Sequence, residues 1–135
     1  MSVKYRTGYK YQLAADLIYQ TDFNIDAPIY TARIDLNCDG ILTVREGYAS
    51  DGVSGPVIDR KTNMRGGFIH DALYQLMRMG ELPNYLWRDA DKEFAKVLKE
   101  DGAWGWVIKI DLLGLKIAGG SAAHPDKRKR IYSAP

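Results

Sequence analysis

The residues of this chain best suited to chemistry lie close together: His70 and Asp71 are adjacent, Tyr74 stands four positions beyond His70, and Asp91 stands 21 beyond it. On a helix His70, Tyr74 and Met77 share one stripe at i, i+4 and i+7, while Asp71 is turned about 100 degrees away. A histidine can draw a proton from water near neutral pH, and a carboxylate on its other ring nitrogen fixes the tautomer and stabilises the imidazolium that forms. Asp91 is placed for that role if a second helix returns antiparallel to the first. Asp71 faces elsewhere and suits a hard cation, with carbonyls of Ser50-Asp51-Gly52-Val53-Ser54-Gly55-Pro56 completing an oxygen shell. Flexible all-oxygen coordination suits calcium better than zinc. The candidate catalytic residues are thus His70, Asp91 and Tyr74, and the candidate metal ligands are Asp71, Asp51, Gly52 and Gly55.

These residues need elements to hold them. Ile69, Ala72, Leu73 and Leu76 repeat at i, i+3, i+4 and i+7, which predicts a helix beyond Gly67 that Gly80 and Pro83 close. Asn84 is a favoured cap for a second helix, whose buried face carries Ala90, Phe94, Val97 and Leu98 and which ends near Gly102. Upstream, residues 47–67 hold five glycines without periodicity, the pattern of a long loop. Earlier still, YQLAADLIYQ, PIYTARIDL and GILTVREGY are short stretches of strand type, punctuated by Asp22, Pro28 and the hairpin signal Asp39-Gly40. They predict a small N-terminal antiparallel β-sheet. The segment from Trp104 to Gly120 is expected to be a third, C-terminal helix covering the pair. Strands first and helices after make the fold class α+β.

The 135 residues are 46% hydrophobic, enough for one core, so a single α+β domain is expected over residues 1–120 and an irregular basic tail over 121–135. Nineteen Lys and Arg against seventeen Asp and Glu give a net charge of +2, and four of the cations sit in the run Lys127 to Arg130. The body carries no basic stripe with interleaved aromatics, which argues against nucleic acid as a partner. No window offers the roughly 18 apolar residues that span a bilayer. One cysteine, Cys38, and a polar start fit a protein made in a reducing cytoplasm.

HDALY and DADKEF, with the intervening MGELPNYLWR, resemble the paired catalytic helices of phospholipase A2, in particular the disulfide-free form of parvovirus capsids. That resemblance implies His70 as base, Asp71 as calcium ligand, Tyr74 as support of the network and Asp91 as the group that orients His70. It also implies a phospholipid or other ester as substrate. Over nearly the whole chain, the order of strands, GYASDGVSGP, HDALY and ADKEF resembles domain-of-unknown-function family 1353 of phages and bacteria. This second resemblance implies a phage or prophage origin, residence in the cytoplasm of an infected bacterium or in a virion, and phage virion proteins as partners.

Competing readings stay open. His70, Asp71, Tyr74 and Asp91 can equally form a structural hydrogen-bond network in a non-catalytic virion or host-interaction protein. Another metal-dependent hydrolase, acting for instance on cell-wall material, would use Asp51, His70, Asp71 and Asp91. Arg65 and Arg88 are candidates for a substrate phosphate. Asp89 reads as a solvated first-turn acid, and Trp104 and Trp106 as core or subunit contacts in preference to a membrane surface.

Overall fold

A computed structural model describes residues 3–6, 11–50, 61–105, 108, 109 and 112, with the side chains of 5, 6 and 61–63 left aside. Seven short strands come first: β1 Tyr5–Arg6, β2 Tyr11–Leu13, β3 Leu17–Gln20, β4 Ile29–Tyr30, β5 Ile34–Leu36, β6 Ile41–Val44 and β7 Ala49–Ser50. Two helices follow, α1 Lys61–Arg78 and α2 Trp87–Glu100, the second preceded by a 3-10 turn over Asn84–Leu86. The fold is therefore α+β, strands before helices. Of the expected third helix, Gly105, Ile108, Lys109 and Leu112 are described and are helical, with Ile108 N–H donating to Trp104 O at 3.1 Å; the tail 121–135, Asp51, Gly52, Gly55 and Trp106 lie outside the described residues.

The strands form two antiparallel sheets where the sequence pattern predicted one: β1-β2-β7 and β3-β6-β5-β4. The division has a local cause. β2 pairs with β7 and β3 with β6, so the chain runs as one two-stranded ribbon bent between the pairs. At the bend Leu13 exchanges backbone hydrogen bonds with Tyr48 and Gly47, and Asp16 accepts from the Glu46 N–H. Gly47 takes φ +92° there, beneath the Arg33 guanidinium. In the β5–β6 hairpin Gly40 takes φ +88°, and a Cβ would lie 2.5 Å from the Phe23 carbonyl oxygen.

Alternation along the strands sends Leu17, Tyr19, Ile34, Leu36, Leu42 and Val44 inward, where they join Phe68, Ile69, Leu73 and Met77 of α1 in one core. α1 packs against α2 and touches β6 and β7. From Met64 to Arg78 every side chain except Gln75 is buried. The helix begins at Lys61, earlier than the expected start beyond Gly67, and Gly66 and Gly67 lie inside it. Gly66 serves packing: a Cβ would come within 2.7 Å of Leu98 Cδ1 and 3.1 Å of Phe94 Cδ1. Gly80, with φ +79°, ends the turn after α1 as expected. Asn84 caps nothing with its side chain; it lies in the 3-10 turn, and α2 starts at Trp87.

Candidate functional site

Burial of α1 on nearly all sides sets the problem the site solves, because a polar side chain taken from water must find a partner. Among the described residues, four polar side chains of α1 are exposed over less than a tenth of their surface: Arg65, His70, Asp71 and Arg78. Arg65 and His70 are met by carboxylates of α2 and its C-terminal end, and Asp71 and Arg78 lie beside each other. His70 and Tyr74, one turn apart, face α2, and their polar atoms converge on one oxygen. His70 Nε2 lies 2.6 Å from Asp91 Oδ1, and Tyr74 Oη donates to the same Oδ1 at 2.8 Å. The expected cross-helix grouping of His70, Tyr74 and Asp91 is thus present.

The imidazole is held on its faces as well. Its centroid is 4.1 Å from the Tyr74 ring, and Phe94 meets it edge-on at 5.5 Å. Asp91 accepts from Tyr74, and an acceptor at Nε2 fixes the proton on that nitrogen and leaves Nδ1 with its lone pair. Among the described residues no hydrogen bond is made to Nδ1. Asp91 is 3% exposed, and its second oxygen, Oδ2, is buried without a hydrogen bond among the described residues. Burial pushes the Tyr74 phenol well above its ordinary value of 10.0, and the neighbouring Asp91 charge raises it further. The phenol therefore stays a donor throughout the neutral range.

Asp71 points away from this group. Its Oδ2 accepts from Tyr48 Oη at 3.1 Å, and its Oδ1 lies 3.6 Å from Arg78 Nη2, which donates to Gln75 Oε1. It borders a cleft of about 320 Å3 that also meets Arg33, Tyr48 and Gln75. A guanidinium beside the carboxylate already balances its charge, and among the described residues no set of three His, Cys, Asp or Glu side chains could hold a metal. The carbonyls expected to complete a calcium shell with Asp71 belong to residues 50–56, of which 51–56 lie outside the described residues. Asp51, Gly52 and Gly55 are outside the described residues.

Two other candidates take different places. Arg65 is 4% exposed and bound to Asp101 and Glu100 at the end of α2, so its guanidinium is committed inside the fold and does not face a substrate phosphate. Trp104 is 70% exposed, which excludes core packing for its side chain. Asp89 sits in the first turn of α2 as expected.

Sequence reasoning missed Tyr48, Arg78 and Glu93. Glu93 is 3% exposed and accepts from Tyr19 Oη at 3.1 Å and from the Asp22 backbone N–H at 2.6 Å, tying α2 to the sheet. A signal existed: position 93 falls on the apolar row of Ala90, Phe94 and Val97, so a charge there has to be paired. Tyr48 carried no such signal, since its partner is decided by how the sheet bends.

No protein-family model matches the chain, and neither does any curated protein or any solved structure.

Proposed function

We propose that the protein is a hydrolase of carboxylic esters in which His70 is the general base and Asp91 its orienting carboxylate. The observation that carries the reading is the single oxygen, Asp91 Oδ1, that takes both His70 Nε2 at 2.6 Å and Tyr74 Oη at 2.8 Å. An ordinary helix pair does not need two aligned donors on one carboxylate oxygen, whereas an imidazole that must keep one tautomer does. In the reaction, Nδ1 takes a proton from water as the oxygen attacks the ester carbonyl. Asp91 stabilises the imidazolium, and the same proton passes to the alkoxide that leaves, so the carboxylic acid and the alcohol account for all atoms. The attacking water needs neither a serine nor a cysteine nucleophile. The likeness of HDALY and DADKEF to the phospholipase A2 helices supports a lipid ester as substrate, and the whole-chain likeness to a phage family supports a phage origin.

Purified protein is expected to release fatty acid from phospholipid vesicles or acid from short-chain nitrophenyl esters, assayed with calcium and with a chelator. His70→Gln should abolish release while circular dichroism stays unchanged. If the native protein releases no acid from either substrate under either condition, the hydrolase reading is wrong.

One observation favours a second reading. His70 and Asp91 are 2% and 3% exposed, the burial of a network that holds α1 to α2 without chemistry. That reading requires His70→Ala to unfold the protein at ordinary temperature and the native protein to be inactive.

A further inference from the structure

α2 has a second surface besides the one that meets α1. Trp87, Asp91 and Ala95 follow one another at i, i+4 and i+8, and Arg88 and Lys92 form the adjoining row. With Leu112 these residues line a groove of about 580 Å3. Small-molecule sites fall in the range of roughly 300 to 1,000 Å3.

Three features of the groove each ask for a different part of a ligand. Trp87, Ala95 and Leu112 supply apolar, half-buried walls. Arg88 and Lys92 are exposed at the rim, and among the described residues neither is ion-paired; Arg88 lies over the Trp87 ring at 5.1 Å. Like charges four residues apart on a helix repel, and an anion between them relieves the repulsion. The third feature is Asp91 itself. Its Oδ1 is filled by His70 and Tyr74, whereas Oδ2 is buried and has no donor among the described residues, a costly state that an N–H or O–H from a ligand would end once a small side-chain rotation turns that oxygen to the groove. An ammonium would meet the repulsion of the rim, and a plain hydrocarbon would leave both the cations and Oδ2 unanswered.

We propose that this groove binds a small amphipathic carboxylate carrying an N–H donor, of the class of N-acylated apolar amino acids. Its apolar group lies on Trp87, Ala95 and Leu112, its N–H donates to Asp91 Oδ2, and its carboxylate sits between Arg88 and Lys92. Because Asp91 belongs both to this groove and to the His70 pair, an occupant touches the base from behind. Binding does not require that His70 hydrolyse anything, so the two proposals stand or fall separately.

The test is a heteronuclear NMR titration of the full chain with three matched probes: N-acetylphenylalanine, phenylpropionate, which lacks the N–H, and N-acetylphenylalanine amide, which lacks the charge. The first should saturably shift the amides of residues 87–95 and the Trp87 indole, and bind about tenfold or more tightly than either of the others. Ala95→Trp, which fills the groove, should remove binding while the rest of the spectrum persists. Should that variant fail to fold, the surface pair Arg88→Glu with Lys92→Glu gives the same reading through loss of affinity. Equal affinity for the three probes, no saturable shift, shifts confined to other residues, or undiminished binding in the folded variants would each overturn the proposal.

Discussion

At the scale of the residue, Asp91 Oδ1 serves two donors, and the two are not equivalent. Tyr74→Phe removes one hydrogen bond from a buried carboxylate and leaves the shape intact, so unfolding free energy in urea should fall by about 1–3 kcal/mol. His70 keeps its bond to Asp91 in that variant. Under the hydrolase reading, catalysis should therefore fall far less in Tyr74→Phe than in His70→Gln; equal losses would mean that the whole cluster acts as one structural unit. His70, Tyr74 and Asp91 were legible from sequence because both helices show clear apolar faces and a short connection returns one against the other. The setting of Asp71 was not legible. Its partners are Tyr48, 23 residues upstream, and Arg78, and the first of these reaches it only through the bend of the sheet ribbon.

At the scale of the element, α1 departs most from its sequence pattern. Periodicity marks one apolar stripe, but the helix is covered by sheet and by α2, so Arg65, His70, Asp71 and Arg78 are interior as well. Gly66 and Gly67 read as the end of a loop for a related reason: glycine disfavours helix by about 1 kcal/mol against alanine, and only the contact with Leu98 and Phe94 shows why that cost is accepted. Gly66→Ala sets the two effects against each other. The propensity gain is at most about 1 kcal/mol, whereas forcing a methyl into a filled core costs about 1–3 kcal/mol. Both facing side chains are fully buried and have little room to move. Gly66→Ala should thus lower stability, and adding Leu98→Val should recover part of the loss relative to Leu98→Val alone, in a cycle read by chemical denaturation. If Gly66→Ala alone is stabilising, the close approach of α1 and α2 at this point is wrong.

At the scale of the whole molecule, two buried phenols join the sheet and the helices, and they give the fold a dependence on alkaline pH. Burial pushes Tyr19 well above its ordinary value of 10.0, with the Glu93 charge adding to the rise and Lys96 drawing it partly back. Burial and then Asp91 do the same to Tyr74. In the unfolded chain both ionise near pH 10. The folded chain holds their protons longer, so above that pH the unfolded state binds fewer protons and stability falls as pH rises. The contribution is whole below the unfolded value and is lost upward through the window toward the raised folded values, at about 1.4 kcal/mol per pH unit for each tyrosine. Urea denaturation followed from pH 8 to 11.5 should show this decline beginning near pH 10. Tyr19→Phe and Tyr74→Phe should each flatten it by about half, and the double variant should nearly remove the tyrosine part. Tyr19 also binds Glu93, which holds the Asp22 N–H, so its replacement additionally lowers the plateau below pH 9 by loosening α2 from the sheet. A profile as steep in the double variant as in the native chain would place the alkaline transition in other groups and would contradict the burial of these two phenols.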